Sequence, residues 1–140
     1  MVINETLPAI AQEFPGITCD AYCEEGSWSV KETTALFEKA IELNCPIRAH
    51  VDQFNPLGML TKAVELGAIS VDHLETSTDE ELAVLAASDT IGVLLPASGF
   101  CLHDSYARDR AIIDLGSLVA IASNYNPGSA PSPSMPFTIS

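Results

Sequence analysis

Short apolar runs alternate with longer amphipathic ones along the whole chain. The apolar runs are "ITCDAYC" (17–23), "PIRAHVD" (46–52), "AISVDHL" (68–74), "TIGVLLP" (90–96) and "SLVAIAS" (117–123). Each has the length and composition of a strand. Between them lie segments with helical spacing: "SVKETTALFEKAIELN" (29–44), "LGMLTKAVELG" (57–67), "TDEELAVLAAS" (78–88) and "YARDRAIIDLG" (106–116). Ser29 with Glu32 and Thr78 with Glu81 read as capping boxes. In the first of these segments, Val30, Phe37 and Ile41, with Thr33, Thr34 and Ala40, fall on one side. Asn44 and Pro46 end that helix, and Gly67 stops the next. A loop containing Gly99 is expected after the fourth run. The stretch 2–14, "VINETLPAIAQEF", also reads as helix, so Met1 is expected to be an internal start, or the chain a gene-model fragment or a remnant of a longer gene.

Strands beginning near Ile17, Pro46, Ala68, Thr90 and Ser117 recur every 22 to 29 residues or so, the period of βα units in a parallel sheet. "GVLLP" and "LVAIA" are apolar without alternation, as burial on both faces requires. No βα unit carries a glycine-rich phosphate fingerprint, which removes the main support for a doubly wound nucleotide-binding domain. The predicted fold is α/β, one partial (β/α)8-type barrel over residues 1–140. Residues 124–140 are expected to be a loop-rich C-terminal segment, on the strength of "NYNPGSAPSPSMP".

Composition narrows the partners. The chain has 140 residues, 47% of them apolar and 18% charged, enough for a sizeable core. Six Lys plus Arg stand against 19 Asp plus Glu, a formal net charge of −13. Too few cations remain to neutralise phosphates, so neither nucleic acid nor an anionic membrane is an expected partner. Cys19, Cys23, Cys45 and Cys101 match no zinc-framework spacing and read as reduced, mostly buried thiols of a cytoplasmic protein.

Polar groups recur where the predicted strands end. Cys23, Glu24 and Glu25 close the first, and His50, Asp52 and Gln53 the second. Asp72, His73 and Glu75 close the third, and Asn124 and Asn126 follow the fifth. In a (β/α)8 barrel these ends build the active site. Two imidazoles on consecutive strands, each at the polar end, point to metal ligation or proton transfer rather than to isolated structural histidines.

The blocks "CDAYCEEGSWSV", "AHVDQFNPLG", "AISVDHLE", "VLLPASGF" and "ASNYNPGSAPSPSMP" resemble successive blocks of imidazolonepropionase, a family of metal-dependent amidohydrolases, in order and at matching separations. The resemblance covers residues 19 to 136 and makes the five runs barrel strands four to eight. It implies hydrolysis of the ring amide of 4-imidazolone-5-propanoate to N-formimidoyl-L-glutamate in histidine degradation, with one divalent metal, zinc or iron. It also implies roles: His50 and Asn124 as metal ligands, His73 and Asn124 as catalytic residues, and Gln53, His73, Asn126 and Gly128 as substrate contacts.

Two departures from the family pattern stand out. Position 124 is Asn where the family has Asp, and an amide cannot act as a carboxylate base. The H-x-H pair of strand one is absent, as are strands one to three. This chain alone is therefore expected to be inactive, and to need another copy or the missing barrel half to cover its open sheet. The alternative expectation is a catalytically inactive remnant acting as a binding or assembly module.

Overall fold

The computed structural model of the chain describes residues 1–139. A π-helical turn, Val2–Thr6, runs into α1 (Leu7–Glu13), and β1 (Cys19–Cys23) follows. Then come α2 (Val30–Glu42), β2 (Ile47–Val51), α3 (Met59–Glu65), β3 (Ser70–His73), α4 (Asp79–Ala86) and β4 (Ile91–Leu94). The last elements are α5 (Pro96–Leu102), α6 (Asp109–Asp114), β5 (Val119–Ile121) and α7 (Met135–Ile139). Both capping boxes form. Ser29 Oγ accepts from Glu32 N and Thr78 Oγ1 from Glu81 N, while each glutamate accepts from the backbone of its partner. These bonds satisfy amides that the first helical turn leaves without partners.

The five strands make one parallel sheet in the order β1-β2-β3-β4-β5. Each strand lies beside its successor and the winding never reverses. A doubly wound sheet would reverse at a switch point; steady progression is how a barrel is built. One face of the sheet carries the core. Ala21, Ile47, Ala49, Val51 and Val71 pack under the helices, against Leu36, Phe37 and Ala40 of α2, Met59, Leu60 and Ala63 of α3, and Leu82 and Leu85 of α4.

The opposite face is the would-be barrel interior. Its rows follow from strand register: Tyr22, His50, Asp72, Val93 and Ala120 in one, and Asp20, Arg48, Ser70 and Ile91 in the row beneath. Over β1 to β3 this face is polar, where a barrel interior is ordinarily filled by branched apolar side chains. Two-sided burial of the last two strands, expected from their lack of alternation, is not found. Ile91 and Leu118 are exposed because no strands close over them, and Ile121, on the other face, is exposed too.

Three other expectations differ from the structure. The buried side of α2 is Thr33, Leu36, Phe37 and Ala40, whereas Ile41 is exposed. The segment around Gly99 is a helix rather than a loop. Pro96 opens α5, and Gly99 is buried where an added Cβ would sit 2.8 Å from Ser105 O. The loop-rich C-terminal segment turns helical at Met135, and Ser140 lies outside the described residues.

Candidate active site

Backbone conformation marks the strand ends before any side chain does. Six non-glycine residues have positive φ: Asn44, Asp52, His73, Leu74, His103 and Asn124. Asn44 and His103 follow helices, where a left-handed residue is the usual terminator. The other four follow β2, β3 and β5. Non-glycine residues held in this region cluster at functional sites, and three of the four carry side chains able to bind or catalyse.

Asp52 explains part of the cost. Its carbonyl accepts from Thr76 N and Thr76 Oγ1, each at 2.8 Å, and its buried carboxylate accepts from Ser77 Oγ at 2.7 Å. It therefore ties the loop after β2 to the loop after β3. Burial first, with Glu81, Glu24 and Glu75 adding to it against the Ser77 bond, pushes its carboxyl up to about 7. Glu24 does the same one loop earlier. Its buried carboxylate accepts from Phe54 N and Asn55 Nδ2, each at 3.0 Å. Neither residue projects freely. Both build the shelf on which the candidate site stands.

His50 lies on the inner face of β2, a quarter exposed. Its Nε2 is 3.1 Å from Asp20 Oδ2 and its Nδ1 is 3.9 Å from Asp72 Oδ2. The Asp20 hydrogen bond raises its pKa against the opposing effect of burial. Arg48 joins the group by pairing with Asp72 and lying 3.5 Å from Asp20. Ser70 Oγ donates to the other Asp72 oxygen at 3.0 Å. His73 is buried, with Nδ1 3.2 Å from Glu75 Oε1, and its ring centroid lies 5.5 Å from that of His50. The structure thus brings His50 and His73 together. Gln53 is buried, and the hydroxyl of Tyr22 donates to its Oε1 at 3.0 Å.

Asn124 is not part of this cluster. β5 stands three strands from β2, roughly 14 Å along the sheet at about 4.8 Å per strand. Its Nδ2 donates to Ser129 Oγ at 3.1 Å. Asn126 is engaged locally too: Oδ1 accepts from Gly128 N and Ser129 N, and Nδ2 donates to Asn124 O and Ser129 Oγ. It shapes the turn that carries Gly128, where an added Cβ would lie 3.3 Å from Asn126 Oδ1.

The donor set does not complete a metal centre. Among the described residues, no group of three or more His, Cys, Asp or Glu is arranged to hold an ion. Nε2 of His50 is already directed at Asp20, and Asn124 supplies an amide in place of a carboxylate. A cavity of about 550 Å³ lies elsewhere. It is lined by Leu94, Phe100, Tyr106, Ile121 and Phe137, and touches Glu75 but neither histidine. Sequence reasoning missed the Asp20–Arg48–Asp72 ion group. An arginine in the middle of a buried strand was the signal that could have found it, since such a charge needs partners.

No family model matches the chain. Among solved structures, an adenosine deaminase from Xanthomonas campestris with bound zinc superposes with a TM-score of 0.65 at 13% identity, covering 83% of this chain and 30% of that one. Atrazine chlorohydrolase from Arthrobacter aurescens, complexed with zinc and atraton, superposes at 0.62 with 16% identity, covering 86% and 31%. With five parallel strands wound in sequence, this chain has the fold of a partial barrel. Sequence narrows the class. Imidazolonepropionase from Symbiobacterium thermophilum is 44% identical over 142 residues, covering 99% of this chain and 33% of its own length. The Clostridium tetani enzyme is 42% identical over 135 residues, covering 96% and 32%. The chain is similar to imidazolonepropionases along nearly its whole length and spans about a third of the length of the curated relatives it matches.

Proposed function

We propose that this segment is the strand-four-to-eight part of a barrel that hydrolyses the ring amide of 4-imidazolone-5-propanoate. Water adds to the ring carbonyl carbon, the C–N bond breaks, the nitrogen leaves with a proton, and N-formimidoyl-L-glutamate results. The observation that carries this reading is identity of 36–45% to imidazolonepropionases in alignments covering 80–100% of the chain. His73 would polarise the ring carbonyl, Gln53 would contact the ring amide edge, and Asn126 with Gly128 would line the substrate. The zinc or iron that the family implies, with His50 and Asn124 as its ligands, enters no step here, because those two residues alone do not make its site. The open sheet calls for a partner that closes it, the missing barrel half or a second copy. The proposed place of action is the cytoplasm, consistent with four free thiols and with the absence, among the described residues, of any helix long and apolar enough to cross a membrane.

A second reading has its own support: Asn124 and the incomplete donor set favour an inactive remnant that serves as a binding or assembly module. One experiment separates the two. The purified chain and its Asn124→Asp variant are supplied with zinc or iron, and hydrolysis of imidazolonepropanoate and bound metal are measured on the same samples. Metal uptake and turnover, larger in Asn124→Asp, support the hydrolase. No metal and no turnover in either sample makes the missing strands decisive, and this chain alone is then a fragment or a non-catalytic remnant.

A further inference from the structure

Gln53 is held at both ends of its carboxamide by residues far away in the chain. The Tyr22 hydroxyl, on the inner face of β1, donates to Oε1 at 3.0 Å. Nε2 donates to Ser98 Oγ at 3.2 Å, within α5. The partners lie 31 and 45 residues from Gln53, so three βα units converge on one side chain. Gln53 is 7% exposed and Ser98 0%. The Tyr22 ring also meets the His73 ring edge-on, with centroids 6.4 Å apart.

We propose that Tyr22 and Ser98 are positioning residues that clamp the Gln53 carboxamide in one orientation, oxygen toward β1 and nitrogen toward α5. An amide can rotate by 180° and exchange its donor and acceptor ends, and that choice decides what it recognises. Burial, with Glu24 and Glu75 adding to it, pushes the Tyr22 hydroxyl up to about 12, so it stays a proton donor at neutral pH. In the structure that hydroxyl meets the carbonyl end of the amide and Ser98 Oγ meets the nitrogen end. Each end of the carboxamide then keeps one unused valence, a lone pair on Oε1 and an N–H on Nε2. Side by side, these match the C=O and N–H of a neutral cyclic amide or ureide. The proposal rests on the reading of Gln53 as the ring contact, and it adds that Tyr22 and Ser98 hold the carboxamide that would meet the ring.

The test reads the clamp without substrate. In the ¹⁵N-labelled full chain, the Gln53 side-chain NH₂ signals are assigned by their loss in Gln53→Leu. Tyr22→Phe and Ser98→Ala should each shift those signals and speed their exchange with solvent, roughly fivefold for one lost hydrogen bond. Backbone signals away from the site should stay in place, which separates loss of the clamp from loss of fold. Ser98→Thr, which keeps the hydroxyl, should restore the slow exchange. Unmoved Gln53 signals in both Tyr22→Phe and Ser98→Ala overturn the proposal. So do Gln53 signals that already exchange in the parent chain as fast as an exposed glutamine. Clamped signals with no turnover of imidazolonepropanoate by a barrel completed with the missing strands would sink the hydrolase reading and leave the clamp standing; turnover with unmoved signals would do the reverse.

Discussion

At the scale of single residues, the site is organised by groups whose partners lie outside the local sequence. Asp52, Glu24 and Asp72 are acidic and buried, and each is occupied by hydrogen bonds that tie strand ends together. The same logic governs the thiols. Cys19 is buried between β1 and its helices, and its pKa is pushed up to about 11 by burial first, then by Cys45 and Asp20. The folded state therefore favours the neutral thiol, and its unfolded value is near 9.0. Stability from this site is intact below pH 9 and is lost as the pH rises toward 11. Guanidine melts between pH 8 and 11 should show that loss in the parent chain and a smaller one in Cys19→Ala. At pH 8.5 a thiol reagent should modify half-buried Cys101 well before Cys19; equal rates would show that Cys19 is not sequestered in solution.

At the scale of elements, local signals and packing agree at helix starts and part company at helix faces. Ser29→Ala removes one arm of a capping box and should cost about 1 kcal/mol, lowering the melting temperature by roughly 3 °C for a chain of this size. Gly99→Ala tests α5, a helix where the sequence read as a loop. Its Cβ would meet Ser105 O at 2.8 Å and the Tyr106 ring at 3.1 Å, so α5 or the 104–106 segment must shift. The expected cost is about 1–3 kcal/mol, read by chemical denaturation. A neutral result would mean that α5 does not pack on that segment. Phe37, fully buried beneath the sheet, should be costlier still: Phe37→Ala is expected to lose about 3–5 kcal/mol.

At the scale of the whole molecule, β1 and β5 are edge strands of a parallel sheet, an arrangement found almost only where both faces are covered. The interior face is polar over β1–β3 and carries exposed Ile91 and Leu118 toward β5. Association through the β5 side is therefore expected. Sedimentation velocity should show oligomers that Ile91→Lys combined with Leu118→Lys reduces. A monomer at all concentrations tested would argue that the open face is tolerated.

Much of this architecture was legible in the sequence, because helix caps, strand spacing and apolar runs are local properties. The two capping boxes, five strands in order and polar groups at their ends follow from periods of 3.6 and 2 and from end chemistry. So did the placement of His50 and His73 at neighbouring strand ends. Register and the path of the chain in space decided the rest. They set Arg48 between Asp20 and Asp72, residues 28 and 24 positions away. They also turned Leu36 inward in place of Ile41, made a helix where a glycine read as a loop, and joined Tyr22, Gln53 and Ser98 across three βα units. Whether a charge on a strand is solvated or paired depends on what the next strand places beside it, and only the folded sheet supplies that neighbour.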